Sequence, residues 1–188
     1  MPYIQVNPEL PGIRGLMAFR PDTAGPLGVL ANTLLRDDTG ISMAERELIA
    51  THVSYLNDCF YCHTSHGATA CQYLDGDKTL VDQVRKDYRN APISEKLKAL
   101  IAVAALVQKG GKAVTPEAIE AARAEGATDR EIHDTVLIAA AFCLFNRYVD
   151  GLGAITPTDL SSYDSRGRQI AEKGYGNHIF STPQPVSV

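Results

Sequence analysis

The sequence predicts a compact all-α domain built around a helical hairpin that carries a C-x-x-C pair. Two observations lead there. Helix caps recur along the chain, at Ser42 with Glu45, Ser94, Thr115 before Pro116, and Thr128 with Glu131, and each offers the side-chain oxygen that satisfies the free amides of a helix start. No stretch alternates apolar and polar residues with period two for long, as a half-buried strand must. The 188 residues fit one domain. It divides into an arm and short helix over 1–24, a helical core over 25–153 and a C-terminal tail over 154–188.

Taken in order, the proline-punctuated stretch from Met1 to Gly12 reads as an extended surface arm that packs on a neighbour. Ile13 to Phe19 suits a short helix, stopped at Arg20-Pro21 because the residue before proline avoids the helical region. A second helix is expected from Gly25 to Arg36, with Pro26 in its first turn and leucines at 27, 30 and 34. Ser42 and Glu45 form a capping box that opens a third, with Leu48, Ile49, Val53 and Leu56 on a buried face. Asn57-Asp58 supplies a turn, and either residue can cap a further helix that begins near Cys59 and ends before Asp75-Gly76. Asp77 to Tyr88 is charged and amphipathic. Ser94 caps a helix that is apolar nearly all round and ends at Gly110-Gly111. Pro116 opens a short helix closed by Gly126, and Thr128 a long one through Asn146 or beyond. Val136 to Phe145 is apolar on every side, so either the fold or another subunit must cover it. Cys71 and Cys143 are expected in the core, His133 in solvent, and Asn146, Arg147 and Asp150 in capping and pairing at the helix end. From Thr156 to Val188, Gly, Ser and Pro are frequent, and the stretch reads as a tail across a partner subunit.

Composition narrows the function. A net charge of −4 leaves no basic footprint, which argues against a nucleic-acid partner. No N-terminal signal segment and no apolar run long enough for a membrane span are evident, so a cytoplasmic protein is expected. Four cysteines are too few for a disulfide scaffold in a chain of this length, and an intracellular C-x-x-C points to catalysis or metal binding.

The hairpin concentrates the chemistry. At 100° per residue, Cys59, Cys62 and His66 fall within about 60° of one another on the second helix. Glu47 lies roughly 15 Å before the turn and His66 roughly 12 Å after it, at 1.5 Å per residue. Antiparallel helices therefore let Glu47, His66 and Cys62 meet as a carboxylate, imidazole and thiol in line, which is a proton relay. The partial positive charge of a helix N-terminus favours a thiolate. Cys62 would lose its proton to His66 and attack a peroxide oxygen, and Cys59 would condense with the resulting sulfenic acid. Three other readings compete. Cys59, Cys62 and His66 could bind zinc with His63 or Cys71 as a fourth ligand; the pair could be an inert part of the core; and Glu47 could be a solvated helix residue.

Glu47, eleven residues, then Cys59-x-x-Cys62-x-x-x-His66 resembles the core motif of the alkyl hydroperoxidase D-like proteins within the carboxymuconolactone decarboxylase superfamily. The strings ERELIA and VSYLN, and the Asn146-Arg147 pair, resemble its peroxidase-related branch. The resemblance implies an all-α fold and a thiol peroxidase with Cys62 peroxidatic, Cys59 resolving, and Glu47 and His66 relaying protons. It implies a hydroperoxide substrate, a dithiol or thioredoxin-like electron donor, and a homo-oligomer, trimeric or hexameric. Neither cofactor nor metal is called for. One departure stands out: hydroperoxidase D has a histidine between the cysteines, where this chain has Tyr61. Tyr61 is expected to point away from the cysteine face in a supporting role. A lactone decarboxylase like the superfamily's namesake is the alternative enzyme, and a non-catalytic zinc or thiol-redox protein the alternative outside enzymes.

Overall fold

A computed structural model describes residues 1–175, and nine α-helices form among them. They are α1 (Ile13–Phe19), α2 (Pro21–Leu35), α3 (Met43–Leu56), α4 (Phe60–Tyr73), α5 (Lys78–Asp87), α6 (Glu95–Lys109), α7 (Pro116–Ala124), α8 (Asp129–Gly151) and α9 (Leu160–Lys173). The fold is all-α. Each expected cap does its work: Ser42 and Thr128 close reciprocal boxes with Glu45 and Glu131, while Ser94 and Thr115 accept from Leu97 and Ala118.

Three local expectations need correction. Helix α2 begins at Pro21 rather than Gly25, because a proline that ends one helix is also well suited to the first position of the next; Pro26 then lies inside it. Neither Asn57 nor Asp58 caps α4. Asp58 takes the left-handed turn conformation (φ 56°), Cys59 is the N-cap without a side-chain cap bond, and Asn57 is drawn off to Asn146 and Gln108. The stretch after Thr156 does not trail away over its described part. Residues 160–173 fold as α9 and pack on α4 of the same chain; the rest of the expected tail, 176–188, lies outside the described residues. The N-terminal arm likewise engages its own chain, the Tyr3 amide donating to Leu152 and the Gly12 amide to Ile155.

Helix α3 lies at the centre, packed on α4, α6 and α8, and every residue from Arg46 to Ser54 is buried. Leu48, Ile49 and Val53 enter a core shared with Leu100 and Ile101 of α6 and Ile138 and Phe142 of α8. Arg46 is wholly buried yet satisfied, donating to the carbonyls of Leu34, Thr39 and Ile41 and to the Asp134 carboxylate. It thereby fixes the loop before α3. Helix α8 has 23 residues and does reach the length and apolarity of a membrane span, contrary to expectation, but more than half of its apolar window is buried among the other helices. The fold covers α8 only partly: Leu137, Ala140 and Leu144 form an exposed stripe.

Helices α4 and α9 approach so closely that position 167 has no room for a side chain. A Cβ on Gly167 would lie 2.7 Å from the carbonyl carbon and oxygen of Ala68. Gly167→Ala is therefore expected to lower stability by about 1–3 kcal/mol, the cost of overpacking against backbone that cannot yield. Chemical denaturation of the two proteins measures it, and an unchanged midpoint contradicts the packing described.

Candidate functional site

The site grows from the α3–α4 hairpin. His66 follows Cys62 by four positions, which places both on one side of α4, and antiparallel packing sets Glu47 of α3 beside the imidazole. His66 Nδ1 lies 2.8 Å from Glu47 Oε2. The carboxylate is wholly buried and accepts, so Nδ1 carries the hydrogen and Nε2 keeps the free lone pair. Two rings hold the imidazole: Phe142 edge-on, with centroids 4.5 Å apart, and Tyr175 stacked at 5.6 Å.

Tyr175 was not singled out from the sequence. Its hydroxyl donates to the other oxygen of Glu47 at 2.5 Å and lies 3.1 Å from His66 Nδ1. Burial and the neighbouring Glu47 charge push the phenol well above its usual range, so it stays a donor. The end of α9 is anchored for this purpose by α2. Arg36 donates to the carbonyls of Ile170 and Ala171, and Asn32 accepts from the Tyr175 amide. Gly174 makes the turn with φ +79°, and a Cβ there would sit 2.5 Å from the Asn32 side-chain oxygen.

Cys59 and Cys62 are free thiols, both buried, at the first turn of α4. The Cys59 thiol is pushed far up, first by its hydrogen bond with the Cys62 sulfur and then by burial, so Cys59 stays protonated. Asp150 of α8 lies beside the Cys59 thiol, and burial raises that carboxyl. A cavity of about 70 Å³ has Cys62, Ser65, His66 and Tyr175 in its wall. His66 engages Glu47 rather than the Cys62 sulfur directly, and a cavity of this size can hold a bridging water.

The remaining candidates sort by position. Tyr61 is 8% exposed and lines the same cavity, so the expectation that it points away from the cysteines is corrected; it packs with Cys59, Cys62 and Tyr163, whose ring centroid is 5.8 Å away. His63 faces away, toward Arg85, Tyr55 and Phe60. Asn146 is buried and bridges Asn57 to Ser54, pinning the turn before the cysteines, whereas Arg147 is exposed and bonds back to the Cys143 carbonyl. Cys71 is in the core, Cys143 is half-buried, and His133 is exposed beside Asp134. Among the described residues no three His, Cys, Asp or Glu side chains converge as metal ligands.

A family model described as the carboxymuconolactone decarboxylase family matches residues 78–157, the span of α5 to α8. Among solved structures, the chain is similar to an alkylhydroperoxidase AhpD core, an uncharacterized peroxidase-related protein from Ralstonia eutropha JMP134, at 30% identity and TM-score 0.74, covering 84% of this chain and 81% of that one. An uncharacterized peroxidase-related protein from Silicibacter sp. TM1040 is 28% identical with the same TM-score and coverage. A protein of unknown function from Agrobacterium tumefaciens shares the fold at 18% identity and TM-score 0.68, over 85% of this chain and all of that one. No curated protein matches the chain.

Two outcomes test this geometry. Tyr175→Phe removes a donor from a buried carboxylate and is expected to cost about 1–3 kcal/mol in a denaturation experiment. The second concerns pH. Burial, then the Arg85 charge, pushes His63 down to about 4 from an unfolded value of 6.5. Below the unfolded value the unfolded chain binds the proton more readily, so this contribution is complete above pH 6.5 and drains away toward pH 4. The urea midpoint should thus fall on acidification through this window, and fall less in His63→Gln.

Proposed function

Since this chain belongs to the carboxymuconolactone decarboxylase family, in its alkylhydroperoxidase-like, peroxidase-related branch, we propose that it is a thiol peroxidase that reduces hydroperoxides through Cys62. The observation that carries the reading is the wholly buried Glu47 carboxylate at 2.8 Å from His66, beside a cavity that also contains Cys62. A carboxylate kept from water needs a reason, and fixing the tautomer and charge of a working imidazole is one.

The cycle is as follows. Nε2 of His66 takes the Cys62 proton, through a water in the cavity, and Glu47 supports the imidazolium. The thiolate attacks the terminal peroxide oxygen. The S–O bond forms as the O–O bond breaks, and the leaving alkoxide takes the proton back from His66, giving an alcohol and Cys62 sulfenic acid. Cys59 then attacks the Cys62 sulfur. Its proton passes to Asp150 and on to the departing hydroxide, so a disulfide and water are formed. A dithiol or thioredoxin-like donor returns two electrons and two protons and is itself oxidised to a disulfide. Tyr61 and Tyr175 wall the reacting sulfur, and Tyr175 holds Glu47 in place. The donor requirement fits a reducing, cytoplasmic setting. A homo-oligomer, trimeric or hexameric, is also part of the proposal, and the exposed Leu137–Leu144 stripe on α8 supports burial against a second copy.

A lactone decarboxylase is the second reading, favoured by the name of the matching family model. It has no use for a thiol pair. Peroxide consumption with dithiothreitol as donor separates the two: Cys62→Ser should lower the rate by about 10²-fold or more, as expected for loss of a nucleophile. Cys59→Ser should leave the first turnover but block the disulfide. Equal rates in wild type and Cys62→Ser remove the peroxidase reading.

A further inference from the structure

Two arginines share the cavity wall with Cys62 and His66: Arg14 from α1 and Arg166 from α9. Of the chain's other arginines, Arg89, Arg147 and Arg168 are exposed and lie outside this cavity, and the rest are already engaged. Arg20, Arg46, Arg85, Arg123 and Arg130 each pair with a carboxylate, and Arg36 is spent on carbonyls and Tyr73. Among the described residues neither Arg14 nor Arg166 has an acidic partner. Residues 176–188 contain no aspartate or glutamate that could supply one. The side-chain bond that Arg166 makes is to a neutral group, Gln169.

The wall around them is apolar, with Ile13, Met17, Phe142 and Ile170. Burial, and then the like charge of Arg14, pull Arg166 below its usual range. Two guanidinium groups brought together beside apolar surface repel each other and are poorly hydrated, a cost that a shared anion relieves. A planar guanidinium binds a carboxylate through paired hydrogen bonds, and two of them facing one cavity select for that group.

We propose that the cavity takes an organic hydroperoxide that also carries a carboxylate, bound through Arg14 and Arg166 with its peroxide end at Cys62. The proposal rests on Cys62 being the peroxidatic thiol and names the class of its substrate. The carboxylate takes no part in the redox step: the peroxide is reduced to the alcohol as above, and the acid group leaves unchanged.

A matched pair of hydroperoxides tests it, cumene hydroperoxide and its 4-carboxylate, with dithiothreitol as donor. The carboxylate should show a kcat/KM about tenfold or more above the neutral compound, the gain expected of a charge-assisted contact. Arg14→Gln and Arg166→Gln should each remove most of that preference, and Arg14→Lys and Arg166→Lys, which keep the charge, should retain part of it. Equal kcat/KM for the pair in wild type, or a preference that survives in the double Gln variant, overturns the proposal. Calorimetric titration with 4-isopropylbenzoate, which has no peroxide to reduce, reads the anion site independently of turnover. If neither hydroperoxide is consumed, the peroxidase reading fails and this titration decides alone. Binding weakened about tenfold or more by either Gln substitution upholds the anion site; no binding, or binding indifferent to both, overturns it.

Discussion

A carboxylate with no surface in water costs several kcal/mol unless hydrogen bonds replace its hydration, and the position of Glu47 makes this the constraint on which the structure turns. Its two oxygens are satisfied from two different places, one by His66 on α4 and the other by Tyr175 just beyond α9. Helices α3, α4 and α9 must therefore meet in one arrangement for the charge to be tolerated. The neighbouring Arg46, equally buried, does the same for the loop before α3 and for α8 through Asp134. Consecutive residues of opposite charge thus tie the central helix to different parts of the fold.

Much of this was legible from local spacing. The Ser42 and Thr128 boxes are contacts three residues apart, so they can be read along the chain. The meeting of Glu47 and His66 follows from helical rise and a tight turn, which is why counting residues from Asn57 found it. Tyr175 is different: 128 residues separate it from Glu47, and no periodicity spans that distance. Signals for α9 itself were present, with Asp159 as cap, Tyr163, Gly167 and Ile170 on one face, and Gly174 as the stop. They were outweighed by the polar composition of the segment, because a helix that buries only a narrow face is low in overall hydrophobicity even where its periodicity is clear. Arg14 and Arg166 carry no sequence signature at all; only their arrival at one cavity distinguishes them.

The family match and the site occupy different parts of the chain. The matching model runs over α5 to α8, whereas Glu47, Cys59, Cys62 and His66 lie before it. What α8 contributes is support: Phe142 against the imidazole, Asn146 on the turn, and Asp150 beside Cys59. A shared scaffold leaves the chemistry to residues mounted on it, so membership in the family fixes the frame and the hairpin decides what is done there.

The long reach from Glu47 to Tyr175 bears on how the molecule comes into being. During synthesis α3 and α4 emerge and can pair well before residue 175 is made, leaving one carboxylate oxygen of the nascent hairpin dependent on water. Arg166, Ile170 and Tyr175 supply one wall of the pocket, so the enclosure around Glu47, Cys62 and His66 is complete only once the last described helix is in place.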